Sequence, residues 1–340
     1  MSTEIRSGDF IREKWPLLIA LWVAVSSNVA IVAVLWPKAA GVDFAVFWRA
    51  AHALHPYAPN EQPFVYPPTA LLWFLPLRLV DAWPGFLIWT ALSVVAFCLA
   101  ALWLYGRGAT ALALISPAAG VGLIPGQTSF IASAILFAAF ASECRICRGI
   151  LLGALLTLKP QLALMAPVFL IVRREWSVFA AMVITALLLA LATIAIFGSG
   201  IWSDWADVAS GFQQIVAHRG LSMSAVSPAA FATTVGLPGL PLLLLGCASA
   251  LAIALKSRDL DSRNTAAMIA CASLFAAPYA LRYDMIAMAP AMAVVILSES
   301  GRKALLACVA FSASFGPFSL AAGTCVVDWR SPRTKPVKES

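Results

Sequence analysis

The stretch WPLLIALWVAVSSNVAIVAVLW at residues 15–36 decides the fold, because it is long and apolar enough to cross a lipid bilayer. A charged segment precedes it and no cleavage site follows it, so we interpret it as an uncleaved first span. Apolar blocks of this kind recur along the chain and exclude a single large soluble core. The further candidate spans are 67–80, 86–105, 109–125, 127–142, 149–172, 176–198, 238–255, 265–281, 284–298 and 304–322.

Composition supports the same class of protein. The 340 residues are 61% hydrophobic and only 11% charged, whereas soluble domains carry about 25% charged residues. The mean hydropathy is +0.88. The formal charge of +7 lies mainly in short loops and tails, as expected of cationic loops retained beside a membrane. We therefore expect the lipid bilayer, and no nucleic acid, as a partner.

The sequence predicts an all-α polytopic integral membrane protein with about 10–12 transmembrane or re-entrant helices. Residues 1–14 are expected to be a cytoplasmic segment, 15–324 a single transmembrane domain, and 325–340 a basic polar tail. Two loops, 37–66 and 199–237, are expected on the extracytoplasmic side, because the basic residues of the N-terminal segment favour the cytoplasm.

The number of crossings stays open at this stage. If 149–172 is one span kinked at Pro160, Arg145 and Arg148 lie outside, against the charge rule. If Pro160 is at the tip of a hairpin, these arginines move inside. Eleven crossings would also place the basic tail outside.

One acid, Asp43, follows the first span directly and precedes the apolar run FAVFWRAAHAL at 44–54. The run predicts a short amphipathic helix in the membrane interface. Asp43 is suited to cap that helix. It is equally suited to act as a general base or an electrostatic anchor beside a pocket at the membrane. His52 and His55 lie on the polar face of the run, and we expect them to be interfacial and not metal ligands.

Two cationic positions interrupt apolar stretches. Lys159 lies between GILLGALLTL (149–158) and QLALMAPVFLIV (161–172), where a lysine must snorkel, pair or bind an anion. We favour anion binding. Arg282 and Asp284 lie together in AAPYALRYDMIAMAP (276–290). They predict either a self-neutralising loop or an arginine that meets an anionic ligand while the carboxylate orients it.

Three other polar residues are candidates, two of them at helix starts and the third, weaker one in a loop. Tyr66 precedes Pro67 and Pro68, a common helix start, and it could also line a pocket. Gln127, with the hydroxyls that follow it, caps a broken helix or binds a hydroxylated ligand. His218 lies in the second loop. The pair Cys144 and Cys147 lacks further ligands for zinc, so no metal is expected, and no nucleotide-binding motif indicates a cofactor.

One carboxylate and several cations suit one reaction in particular. If the ligand is a lipid-linked sugar phosphate, the leaving group is already a phosphate anion and needs cations but no general acid. The incoming hydroxyl needs one base. A glycosidase, in contrast, uses two carboxylates.

At this point the chain resembles a known family. The segments DFAVFWRAAHALHPYAP, FVYPPTALLWFLPL, GQTSF, GALLTLKPQLALMAP and APYALRYDMIAMAP look like successive signatures of glycosyltransferase family 87. The resemblance runs from about residue 41 to 292. It implies a membrane enzyme of the GT-C superfamily that transfers a sugar, most often mannose, from a polyprenyl phosphate. The transfer is expected to invert the configuration at the anomeric carbon of the sugar. It is expected to take place outside the cytoplasm, at the plasma (inner) membrane.

The resemblance also implies site residues. Asp43 matches the expected base, and Lys159, with Arg49 or Arg282, would hold the departing phosphate. His52 and His218 are candidates on the side of the acceptor, which is a lipid, a glycan or another molecule with a hydroxyl group. The other residues expected to line the donor pocket are Tyr66, Gln127, Gln161, Tyr283 and Asp284.

Two other functions are compatible with part of this pattern. A transporter or flippase for a lipid-linked or anionic solute would use the buried cations but need no base. A scaffold subunit without activity would need neither.

Overall fold

The computed structural model describes residues 7–58, 62–218 and 225–327, and within these ranges the chain is helical, with one isolated bridge between Ala225 and Leu281. Four helices are long and apolar enough to cross a membrane. This confirms the prediction of an all-α polytopic membrane protein. The four are α1 (Ser7–Leu35), α4 (Ala82–Tyr105), α11 (Trp176–Phe197) and α14 (Gly239–Lys256).

The other helices are shorter, and several adjoin one another at breaks. Those that precede α11 are α2 (Val42–His52), α3 (Pro68–Phe74), α5 (Arg107–Leu114), α6 (Pro117–Leu123), α7 (Ser129–Ala141), α8 (Arg145–Leu158), α9 (Pro160–Ala163) and α10 (Ala166–Val172). Those that follow α11 are α12 (Ile201–His218), α13 (Pro228–Thr234), α15 (Ser262–Ala276), α16 (Ala289–Ser298), α17 (Gly301–Ser312) and α18 (Pro317–Val326). Turns of 3-10 helix lie at Leu75–Leu79, Ser257–Asp259 and Arg282–Ala287.

Proline and glycine determine where these helices break. Lys159 has φ −143° and ψ 78°, outside the helical region, because the ring of a following proline disfavours helical backbone in the residue before it. Gly126 has φ +78°, a left-handed conformation that favours glycine. A Cβ at this glycine would also lie only 2.9 Å from the Cβ of Phe44. Both breaks therefore follow from single residues in the sequence.

The segment 149–172 is a hairpin with Pro160 at its tip, and the alternative of one kinked span is wrong. Arg148 Nη1 lies 3.3 Å from Glu175 Oε2, so the two ends of the segment meet. Arg173 Nη1 also donates to the carbonyl of Arg258, at 3.2 Å. The arginines at 145, 148, 173, 174 and 258 therefore share one face of the protein, which we call the arginine face.

Two predicted spans need correction. Segment 67–80 does not cross, because the Tyr66 hydroxyl contacts Thr128 Oγ1 and Trp48 Nε1 donates to Val80 O, which keeps both ends at the same face. The predicted span 304–322 divides into α17 and α18. In the described ranges twelve helices or helix pairs run from one face of the protein to the other, which is an even number. They are α1, α4, α5 with α6, α7, α8, α9 with α10, α11, α14, α15, α16, α17 and α18. The basic tail lies outside the described residues.

Small residues hold the hairpin against the long helix α11. Gly149 and Gly153 lie one turn apart on α8, and a Cβ at Gly153 would lie 2.6 Å from the backbone oxygen of Met182. Such spacing of glycines lets two helix backbones approach closely within a membrane. The packing fixes the height of Lys159 at the tip of the hairpin.

The two predicted external loops meet at the face opposite the arginines. Trp205 Nε1, on α12, donates to the carbonyl of Val65 at 3.1 Å. Segments 37–66 and 199–237 thus contribute to one surface, which we call the site face. The prediction that both loops lie on the same side is in accord with this contact.

Candidate active site

The start of α2 is docked on the helix break at 124–126. Gly41, with φ +70°, precedes the helix and donates its N–H to Ile124 O at 2.9 Å. The backbone N–H groups of Asp43 and Phe44 both donate to Pro125 O, at 3.1 and 3.0 Å. The cap residue is Gly41, without any side-chain capping bond, so the interpretation of Asp43 as a helix cap is wrong.

The side chain of Asp43 points instead toward the break between α6 and α7. Gln127 Nε2 donates to Asp43 Oδ2 at 2.6 Å. The Tyr66 hydroxyl lies 3.3 Å from Gln127 Oε1, to which it donates, and 2.9 Å from Thr128 Oγ1. This chain of hydrogen bonds connects three segments that are far apart in the sequence. Gln127 therefore orients a carboxylate and does not cap a helix.

Lys159 and Asp284 form a fully buried ion pair. The Nζ atom lies 2.6 Å from Asp284 Oδ1, and neither side chain is exposed. Ser129 Oγ accepts from Nζ at 2.6 Å and donates to Asp284 Oδ1 at 3.1 Å. Asp284 Oδ2 accepts the Leu281 N–H at 3.2 Å. The partner of Asp284 is thus Lys159, and the self-neutralising loop with Arg282 is wrong.

Aromatic rings enclose this pair. Nζ of Lys159 lies 4.8 Å from the centre of the Tyr283 ring, within the range of a cation–π contact. The hydroxyls of Tyr283 and Tyr279 lie 3.5 Å apart. The sequence pattern does not single out Tyr279, because it lies in the non-helical segment between α15 and the 3-10 turn.

Two cavities flank the cluster. The first, of about 430 Å³, is lined by Asp43, Arg282 and Tyr283 and by apolar residues 30–35 of α1, and we call it the α1 cavity. The second, of about 420 Å³, is lined by residues that include Tyr66, Gln161, Trp205 and Tyr279, and we call it the α12 cavity.

Asp43 differs electrostatically from Asp284. Among the described side chains no cation lies within ion-pair distance of Asp43. Burial raises the pKa of Asp43 above its ordinary value, and the bond from Gln127 and the charge of Lys159 lower it in part. A carboxylate with a raised pKa is a stronger base. Asp284 is thus paired with Lys159, whereas the carboxylate of Asp43 has a neutral amide as its partner.

Comparison with protein families supplies the class of activity. The model of glycosyltransferase family 87 matches residues 64–281, well over half of the chain. The chain belongs to glycosyltransferase family 87. It is therefore a glycosyltransferase, an enzyme that acts on a sugar donor and an acceptor. Comparison with curated proteins and with solved structures gives no match.

The match to family 87 covers only part of the cluster. Tyr66, Gln127, Lys159 and Gln161 lie inside it, whereas Asp43 lies before its start and the segment Arg282–Asp284 follows its end. The structure brings the residues inside and outside the match into one cluster. The roles of Asp43 and Arg282 therefore depend on geometry and not on the family match.

Two predicted residues, Arg49 and His52, lie elsewhere in this family 87 chain. Arg49 is exposed and donates from Nη2 to Gln62 Oε1 at 2.8 Å. His52 is exposed, with Nδ1 2.9 Å from Trp48 O and its ring 4.1 Å from the Trp48 ring. Neither lines a cavity beside Asp43. The side chain of His218 lies outside the described residues, and no group of three potential metal ligands occurs among those described.

The buried pair generates a prediction about folding. We expect Lys159→Met to lower the free energy of unfolding by about 3–5 kcal/mol, because it leaves the Asp284 charge buried without a partner. The double variant Lys159→Met/Asp284→Asn should recover most of this loss, since asparagine still accepts the Leu281 N–H. Unfolding in detergent micelles measures both values. Equal loss in the single and the double variant would contradict the pairing.

Proposed function

We propose that this glycosyltransferase moves a sugar, mannose in our assignment, from a polyprenyl-phosphate donor to an acceptor hydroxyl with inversion at the anomeric carbon. One observation carries the proposal. Asp43 and Arg282 line the same cavity, and apolar residues that include Ala30, Ile31 and Leu35 of α1 form part of its wall. A base, a phosphate-binding cation and a hydrophobic wall are the three groups that a lipid-linked sugar phosphate requires. The identity of the sugar and of the lipid derives from the family resemblance.

The apolar wall supports a lipid donor. Val29 and Val32 of α1 are more than half exposed, as expected of a helix surface in contact with lipid. The other side of the same helix lines the cavity at Ile31 and Leu35. A polyprenyl chain can lie along α1 while its head group enters the cavity. A volume of about 430 Å³ is within the usual range for a small-molecule site.

The proposed reaction is a single displacement. The Asp43 carboxylate takes the proton of the acceptor hydroxyl as its oxygen attacks the anomeric carbon. The bond between that carbon and the phosphate oxygen breaks, and the electron pair remains on the phosphate. Arg282 stabilises this charge, since its planar guanidinium suits phosphate oxygens. No second carboxylate is required, because the leaving group needs no proton.

Lys159 has a different role in this proposal from the one that its sequence context favours. Its charge is matched by Asp284 at 2.6 Å, and its side chain is fully buried. We propose that it positions the site by joining the hairpin tip to the segment that carries Arg282. Arg49, the other predicted partner of the phosphate, is exposed and bonded to Gln62. Arg282 is therefore the phosphate-binding cation in our scheme.

The distribution of arginines supports an extracytoplasmic site. Arginines gather at the face opposite Asp43, and cationic loops of membrane proteins favour the cytoplasm. We propose that the site face opens to the extracytoplasmic side of the plasma membrane, where the acceptor, a lipid, glycan or other hydroxyl compound, reaches the cluster.

The proposal predicts the effect of removing the base. Asp43→Asn should abolish transfer and leave folding intact, because asparagine can still accept the bond from Gln127. The assay uses liposomes with purified protein and radiolabelled polyprenyl-phosphate mannose, and it measures label in a new covalent product. Full transfer by the variant would contradict the role of Asp43. Label that only changes leaflet with the wild-type protein would support the transporter alternative.

A second prediction concerns pH. Gln127→Met removes a hydrogen bond that lowers the pKa of Asp43, so the pKa rises and the carboxylate is protonated at higher pH. The acidic limb of kcat/KM should therefore move to higher pH. Tyr57→Phe is the matched control, because that hydroxyl bonds to Tyr66 O and not to Asp43. A limb that stays in place in the Gln127 variant would contradict the assignment.

A third prediction separates the two arginines. Arg282→Gln should raise the KM for the lipid donor at least about tenfold, because it removes a charge-assisted bond to phosphate. Arg49→Gln carries the same change of charge outside the cavity and should leave the KM within about twofold. Titration of the donor at fixed acceptor measures both. An equal effect of the two substitutions would show that the charge acts at long range and not by contact.

A further inference from the structure

A polar cleft of about 650 Å³ opens at the arginine face, far from the cluster around Asp43. We call it the arginine cleft. It lies between the start of α8, the end of α10 and the start of α15. Its charged lining residues are Arg145, Arg148, Arg173, Arg174, Glu143, Glu175 and Asp261.

Two of the four arginines are structural. Arg148 contacts Glu175 at 3.3 Å and donates to the carbonyls of Ala139 and Ser142. Arg173 contacts Glu175 Oε1 at 2.8 Å. It also donates to three backbone carbonyls and a hydroxyl that follow α14. These two residues fasten the hairpin to its neighbours, so their charges are already satisfied within the protein.

The other two arginines are available to a ligand. Arg145 and Arg174 are exposed, and neither forms an ion pair among the described side chains. Arg174 has φ +56°, a left-handed conformation that is uncommon for a residue other than glycine. This strained turn directs the chain from α10 into α11 and leaves the guanidinium at the mouth of the cleft.

The acids of the cleft are largely engaged. Glu175 is shared by Arg148 and Arg173. The Asp261 carboxylate accepts the Asn264 N–H at 2.8 Å at the start of α15. Glu143 is the remaining acid, and it is exposed at the rim. Four guanidinium groups thus face three carboxylates, and the cleft carries a net positive charge.

Exposed apolar side chains adjoin the cleft along the same helices. Ile146 and Ile150 of α8 are 52% and 46% exposed, Ile171 of α10 is 45% exposed, and Trp176 at the start of α11 is 57% exposed. Tryptophan favours the level of the lipid head groups. A ligand here meets cations at one end and apolar surface at the other.

From this arrangement we propose that the arginine cleft binds the phosphate head group of an anionic phospholipid, with its acyl chains along α8, α10 and α11. Basic pockets between membrane helices bind such head groups in general. The planar guanidinium suits phosphate oxygens better than a point charge does. The bound lipid would bridge the hairpin that carries Lys159 and its neighbour α11.

Native mass spectrometry of the purified full chain tests the proposal by counting retained phosphatidylglycerol against phosphatidylcholine. The double variant Arg145→Gln/Arg174→Gln should retain phosphatidylglycerol at least about tenfold less well and phosphatidylcholine equally well. The matched control Arg107→Gln/Arg302→Gln removes the same charge from exposed positions outside the cleft and should retain lipid as the wild type does. Equal retention in both variants, or equal loss in both, would overturn the proposal.

Two further measurements complete the lipid-retention experiment. Glu143→Gln removes the uncommitted acid and should increase the retention of phosphatidylglycerol, an effect opposite in sign to that of a poorly folded variant. Inorganic phosphate added at millimolar concentration should leave the lipid bound. Displacement by phosphate would assign the cleft to a free anion and overturn the lipid assignment. A decrease in the Glu143 variant would also overturn it.

Discussion

The site depends on the buried pair of Lys159 and Asp284. A buried ion pair is a poor source of stability, because the cost of removing two charges from water offsets most of their attraction. Its effect here is geometric. It joins the tip of one helical hairpin to a 3-10 turn more than a hundred residues later, and Ser129 bonds to both charges from the start of a third helix. Three helix breaks therefore meet at one point.

Helix breaks within a membrane protein free backbone groups that need partners. In this chain the freed groups serve the site. The carbonyl of Pro125 accepts the first N–H groups of α2 and thereby sets the position of Asp43. The Leu281 N–H binds the second oxygen of Asp284. The breaks that leave most helices too short to cross alone are thus the same breaks that orient the two carboxylates.

The sequence predicts the members of this cluster better than their partners. Tyr66, Gln127 and Lys159 stand beside proline or glycine between apolar runs, which is a local signal, and the structure places all three in the cluster. Which acid pairs with Lys159 depends on the tertiary structure. Asp43 and Asp284 are equally acidic in sequence, and only their positions in the fold show that one is matched by Lys159 and the other by a neutral amide.

The membrane topology is also only partly predictable from the sequence. Pro160 marks a break, but a kink and a hairpin give the same hydropathy pattern, and counting arginines alone gave two conflicting answers. The contact between Arg148 and Glu175 decides it, because it closes the hairpin through side chains 27 residues apart. The choice between Arg49 and Arg282 is similar, since both flank apolar segments and only Arg282 reaches the α1 cavity.

Separation of charge between the two faces links the fold to the chemistry. Most arginines of the hairpin region are at the arginine face, and the cation that lines the α1 cavity is Arg282. In the proposed reaction the phosphate therefore meets the guanidinium of Arg282 in the same cavity as the Asp43 carboxylate, which has no ion-pair partner among the described side chains. A lysine without its own acid at the hairpin tip would neutralise Asp43 and weaken it as a base. Pairing with Asp284 limits this effect, although the charge of Lys159 still lowers the pKa of Asp43 in part. In our proposal the contact that assembles the site therefore also helps to keep Asp43 basic.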